Sequence, residues 1–118
     1  MNFIQSIQTF CGKLRLRHAI KMADKAHART GHRYYVLPQD GPGKKLIVMD
    51  RSNFRKLKFK HYIDHDTYVA DIDRECFYAT PYADGSRRLS AVDIQVKRAL
   101  FLSWLLDLTP PEASARPH

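Results

Sequence analysis

Cysteine is scarce in this sequence. Cys11 and Cys76 are the only two in 118 residues, too few for a disulfide scaffold or for a structural zinc site built on thiolates. Long apolar runs are missing as well. The longest, Ala99 to Leu106, is interrupted by Ser103 and falls well short of the roughly 20 residues that a membrane-spanning helix needs. Met1 to Phe10 has apolar residues at Phe3, Ile4, Ile7 and Phe10, but glutamine and serine break them, so they form no secretory h-region. Their spacing of three and four predicts a short amphipathic helix. No G-x-S-x-G elbow, zinc-finger spacing or RNP-type motif occurs. Gly41-Pro42-Gly43-Lys44 lies between two predicted strands and does not lead into a helix, so it is turn chemistry and not a phosphate loop. These absences predict a soluble, cytoplasmic-type protein in a reducing compartment, with no cofactor, no metal and no membrane partner.

Acidic residues are scarce too, but only in part of the chain. Twenty Lys and Arg face twelve Asp and Glu, a formal net charge of +8. Residues 1–31 hold six basic groups and one acid, and residues 32–62 hold eight and two. The first 62 residues therefore carry +11. Residues 63–85 reverse the sign, with Asp64, Asp66, Asp71, Asp73, Glu75 and Asp84 against Arg74 alone, net −5. A basic half followed by an acidic patch suits a polyanion partner, or the pairing of unlike surfaces within or between chains.

The length fits one domain, 1–109, followed by a loose tail at 110–118 with Pro110, Pro111 and Pro117. Lys13 to Thr30 reads as a helix stopped by Gly31, with Leu16, Ala19, Ile20, Ala23 and Ala26 as its apolar stripe. Arg33 to Leu37 and Lys44 to Met49 read as the strands of a β-hairpin around the turn Pro38-Gln39-Asp40-Gly41-Pro42-Gly43. Asp50 is placed to cap a helix over Arg51 to Lys58 that turns Phe54 and Leu57 inward, although residues 56–63 also alternate at the period of a strand. Asp66 is placed to cap a short helix over Thr67 to Glu75, and Cys76 to Thr80 reads as a third strand. Ser90 with Asp93 resembles a capping box for a last helix running to about Leu108. The expected fold is α+β: a small antiparallel sheet packed with N-terminal helices and a long C-terminal helix. The expected core is Leu16, Ile20, Ala23, Val36, Leu46, Val48, Phe54, Leu57, Ile72, Phe77, Val92, Val96 and Leu100.

The sharpest charge feature is a ladder at four-residue spacing, Lys13, Arg17, Lys21, Lys25 and Arg29. On a helix such a row advances about 40° per step and winds along roughly 24 Å of surface. Lys44, Lys45, Arg51, Arg55, Lys56, Lys58 and Lys60 form a second basic stretch, and Tyr34, Tyr35, Phe59 and Tyr62 are aromatics placed to stack on bases. Together they suggest a non-enzymatic module that contacts the backbone of a nucleic acid, or another polyanion, more than it reads bases. The bland alternative is a solvated face. The last helix suggests a different class. Phe101, Leu102, Trp104, Leu105 and Leu106 point in divergent directions, and a helix apolar all round must be covered all round. They are the candidate interface of an assembly subunit, either a homo-oligomer or a complex with another protein.

Two weaker constellations remain. His61 and His65, four apart beside Asp64 and Asp66, would share a helix face as metal ligands, but the acidic surroundings read more simply as a surface loop. Asp71 and Asp73 diverge on a helix, and Asp73 reads as a surface acid near Arg74. A small basic ribonuclease would need His18, His27, His32 or His61 beside Lys and Arg for acid–base work on RNA. Cys76, inside an apolar strand, reads as a small buried hydrophobe. The stretch Lys45 to Lys58 (KLIVMDRSNFRKLK), with Glu75-Cys76-Phe77-Tyr78 downstream, resembles small uncharacterised proteins of bacteriophages and mobile elements of gut bacteria. That resemblance implies an accessory role, including a virion-associated one, and no activity or functional residue.

Overall fold

The computed structural model describes residues 2–39, 41–59 and 68–108. The elements are α1 (Phe3–Thr30), β1 (Tyr34–Pro38), β2 (Leu46–Asp50), α2 (Arg51–Phe59), α3 (Val69–Glu75), β3 (Tyr78–Ala79) and α4 (Ala91–Leu105). This is the α+β arrangement expected, with strand order β2-β1-β3 and both pairings antiparallel. Val36 stands opposite Val48 on one side of β1 and opposite Tyr78 on the other. Among the described residues no helix is long and apolar enough to cross a membrane.

Helix α1 joins two segments that the sequence had separated at Cys11-Gly12. Its start is a capping box: the Gln5 N–H donates to Asn2 Oδ1 at 2.8 Å, and the Asn2 N–H donates to Gln5 Oε1 at 3.3 Å. Its end is the expected one, with Gly31 left-handed at φ 76° and its N–H on the His27 carbonyl at 2.7 Å. Gly12 does not break the helix. A Cβ there would lie 2.4 Å from Leu105 Cδ2, so the glycine lets α4 approach closely at the modest helix-propensity cost of about 1 kcal/mol.

Both faces of the sheet are covered, which is why the strands read as apolar runs and not as alternations. On one face, Val36 packs with Ala19 and Ala23 of α1, joined by Leu16, Leu46, Val48 and Tyr78. The small alanines bring α1 close to the sheet. On the other face, Tyr35, Met49 and Ala79 pack with Phe54 of α2, Ile72 of α3 and Cys76. Asp50 caps α2 as expected, its Oδ1 accepting from the Asn53 N–H at 2.8 Å. The cap expected from Asp66 falls outside the described residues; α3 is preceded by Tyr68, whose N–H donates to Asp71 Oδ2 at 2.8 Å.

Helix α4 departs most from expectation. Its Ser90–Asp93 capping box is present, but Val92 is 68% and Val96 44% exposed, so neither belongs to the core. The buried side holds Lys97, Phe101, Ser103 and Leu105. Phe101 and Leu105 form a third apolar cluster with Phe77, and Leu16, Leu46, Leu100, Leu102 and Trp104 pack around it. Phe77 and Phe101 meet edge to face at 5.3 Å. Packing on Phe77 and across Gly12 turns the helix by one side from its amphipathic stripe. The interface assigned to Phe101, Leu102, Trp104, Leu105 and Leu106 is corrected accordingly. Phe101 and Leu105 are buried within the chain, and Leu102, Trp104 and Leu106 are half-buried. The 28-residue α1, about 42 Å long at 1.5 Å per residue, supplies part of that cover through Gly12 and Leu16.

Candidate polyanion-binding cleft

A cleft of about 1020 Å³ opens where the end of α1, the start of α2 and the loop after β3 meet. Gly31, His32 and Arg33 form one wall, Asp50 to Ser52 with Arg55 and Lys56 a second, and Tyr82 to Asp84 with Ser86 a third. The β2-to-α2 junction is tight: Asp50 ends the strand and the helix starts at the next residue. That junction brings Arg51, Arg55 and Lys56, spaced four and five apart, onto the same cleft, and all three are exposed.

Asp50 is the anchor of this wall. One carboxylate oxygen caps α2 and the other lies 3.2 Å from His32 Nδ1. Burial pushes its carboxyl upward, but the Asn53 N–H and the His32 contact outweigh burial and hold it below the usual value. The acid is therefore engaged twice and keeps its negative charge beside the neighbouring cations. Asp84 also lines the cleft; its Oδ1 accepts from the Ser86 N–H at 2.9 Å.

Arg33 closes the floor. It is buried, and its guanidinium donates to Asp73 Oδ1 (3.0 and 3.2 Å), the Thr80 carbonyl (2.7 Å) and the Arg87 carbonyl (2.7 Å). It lies 5.5 Å from the ring centroids of both Tyr35 and Tyr82. Asp73 is thus Arg33's counter-ion and not a surface partner of Arg74, which pairs with Asp71 at 2.7 Å. A second buried cation, Lys97, donates to the carbonyls of Asp73 (2.6 Å) and Cys76 (3.1 Å) and to Cys76 Sγ (3.3 Å). Lys97 thus belongs to the buried side of α4, while Val92 and Val96 are exposed. Cys76 is fully buried, as expected, but it caps the end of α3 and lies outside β3, which is only Tyr78–Ala79; burial pushes its thiol up.

The structure sorts the sequence-selected cations into three sets. Arg51, Arg55 and Lys56 converge on the cleft. Lys13, Arg17, Lys21, Lys25 and Arg29 are all exposed and run along the side of α1 away from the sheet. Lys45 is exposed and borders a smaller depression with Arg15 and His18. Lys44 is corrected: its Nζ donates to the Trp104 carbonyl at 2.9 Å, pairs with Asp107 and lies 5.2 Å over the Trp104 ring. It secures the end of α4, where a cation complements the helix dipole. Lys60, His61, Tyr62 and His65 lie outside the described residues, and so do the side chains of Lys58 and Phe59.

The aromatic set is corrected in the same way. Tyr35 is fully buried in the sheet core, because its position on β1 turns it toward Met49 and Phe54. Burial pushes its phenol up to about 12. Tyr34 is half-buried, its hydroxyl accepting from Thr30 Oγ1 at 3.2 Å. Tyr82, which the sequence reading passed over, is the ring that lines the cleft. Of the described ribonuclease histidines, His32 alone lines it; His27 Nδ1 is 2.9 Å from the His32 carbonyl, and His18 borders the smaller depression. Comparison with protein-family models, with curated proteins and with solved structures gives no match. The cleft's own chemistry therefore carries the functional argument.

Proposed function

We propose that this protein is a non-enzymatic basic binding module that holds a nucleic acid, or a polyanion of similar spacing, through the cleft at the start of α2. The observation that carries the reading is the convergence of exposed Arg51, Arg55 and Lys56 on one cleft. Like charges four apart on a helix repel by about 0.2–0.5 kcal/mol per pair. An anion in the cleft relieves that repulsion further than Asp50, Asp84, water and salt do in the free protein. Arginine presents a planar fork that matches phosphate oxygens, and the Ser52 and Ser86 side chains border the same space. These are groups that grip a backbone and carry no base code, so affinity should exceed sequence selectivity. The exposed ladder on α1 adds long-range attraction.

A labelled single-stranded DNA, titrated with the full chain at increasing salt, tests the reading. The logarithm of affinity should fall linearly with the logarithm of salt concentration. Arg51→Gln/Arg55→Gln should shrink that slope by about 1.4, at roughly 0.7 per phosphate contact on a single strand. Absence of binding at low salt overturns the proposal, and an unchanged slope in the double variant removes the cleft from it.

A further inference from the structure

The N-terminal half of α1 carries an apolar row that no other described residue covers. Phe3, Ile7, Phe10 and Leu14 recur at spacings of four, three and four, so they share one side of the helix, with Ile4 beside them. Phe3 is 79% exposed, Ile4 66%, Phe10 64%, Ile7 49% and Leu14 47%. Thr9 and Gly12, on the opposite side of the same turns, are buried, Gly12 against Leu105. The row therefore points away from the body, and none of residues 3–8 is buried. Single exposed apolar residues are ordinary on a protein surface, but a contiguous row with two phenylalanines marks a contact surface.

Charge identifies what the row meets. The first acid of the chain is Asp24, and Lys13, Arg15, Arg17 and Lys21 precede it, all exposed. At about 100° per residue, Lys13 and Arg17 fall on one flank of the row and Arg15 on the other. The first turn of α1 holds no acid, so the positive end of the helix dipole is uncompensated there. A second copy of the chain would cover the phenylalanines yet offer these cations no acid from its own first 23 residues. An anionic bilayer surface accepts both features at once.

We propose that this half of α1 is an interfacial anchor for anionic phospholipid. Phe3, Ile4, Ile7, Phe10 and Leu14 enter the boundary between headgroups and acyl chains, while Lys13, Arg15 and Arg17 meet headgroup phosphates. Lying in the surface is a different demand from crossing it, since it needs one apolar face and not an apolar cylinder. The row is separate from the cleft and stands independently of the nucleic-acid reading.

Co-sedimentation of the full chain with vesicles tests the anchor. Vesicles of phosphatidylcholine with one-third phosphatidylglycerol should pellet the protein, and pure phosphatidylcholine vesicles should leave most of it in solution. Phe3→Ser/Phe10→Ser should weaken partitioning by about 100-fold, at roughly tenfold for each phenylalanine withdrawn from the interface. Both side chains are exposed, so the fold should persist, and Lys13→Gln/Arg17→Gln gives an independent loss that salt reproduces in the unaltered chain. Arg51→Gln/Arg55→Gln should bind vesicles as before, which separates this result from the cleft. The proposal is overturned if the anionic vesicles leave the protein in solution at low salt, or if the serine variant binds undiminished. A doubled mass by light scattering that the serine variant abolishes would assign the row to a second copy, and overturns it equally.

Discussion

Two sets of cations in this molecule are built from the same residue types and sit in opposite surroundings. Arg33 and Lys97 are buried and turn their hydrogen bonds inward, to the Asp73 carboxylate, to the carbonyls of Asp73, Cys76, Thr80 and Arg87 and to Cys76 Sγ, with Arg33 also over the Tyr35 and Tyr82 rings. Arg51, Arg55 and Lys56 stand exposed around a cleft. A buried cation is tolerated only when its hydrogen bonds are filled, because desolvation costs several kcal/mol that the partners must offset. An exposed cation keeps its water and remains able to exchange it for a phosphate. Position therefore decides whether a positive charge holds the fold together or meets a partner.

The largest test of this contrast is Arg33→Met. It leaves Asp73 and two carbonyls without their donor, and removing one member of a buried pair costs about 3–5 kcal/mol. Urea unfolding should show that loss; a change under about 1 kcal/mol would mean that Arg33 is dispensable and the contrast false. Lys97→Met should cost less, about 2–3 kcal/mol, since its partners are two carbonyls and a thiol with no counter-ion.

Asp50 lies between the two sets, being buried but facing the cleft. Asp50→Ala should lose about 1 kcal/mol at neutral pH through the missing cap on α2. The folded carboxyl sits below its unfolded value of about 3.9, so its contribution is complete above that pH and fades as pH falls through the folded pKa. The stability gap between Asp50→Ala and the unaltered chain should therefore close below about pH 4, and a gap constant from pH 7 to 2 would contradict the cap. The smallest effect is expected from Arg51→Gln/Arg55→Gln, whose unfolding free energy should move by less than about 0.5 kcal/mol while its nucleic-acid slope falls. A large loss of stability in that variant would place these arginines among the structural cations.

Much of the fold was legible because its signals are local. Gly31, Asp50 and Ser90 with Asp93 act on backbone groups within a few residues, and each holds the end assigned to it. Half of the candidate site was legible in the same way. Arg51 and Arg55 were visible as cations on a capped helix, but the facing wall, with His32, Tyr82 and Ser86, is assembled from distant stretches that no spacing connects. Tyr35 and Lys44 misled for a related reason. An aromatic or a lysine looks identical in sequence whether it faces solvent or the core.

Local signals were enough for the helix ends at Gly31, Asp50 and Ser90, for the hairpin and for the partition of charge, but not for the continuity of α1 through Gly12. Each of these depends on interactions between near neighbours. Tertiary structure decided which side of each helix is inside. The second half of α4 is apolar on all sides, so only the approach of Phe77 and Gly12 selects Phe101 and Leu105 and leaves Val92 and Val96 in water. It also moved the uncovered apolar surface. Phe101 and Leu105 at the end of α4 are covered by Phe77 and by α1, and α1 leaves its own first turns open. The reason is geometric. A helix has one sequence but a full circle of faces, and burial of one is settled by what arrives from elsewhere in the chain.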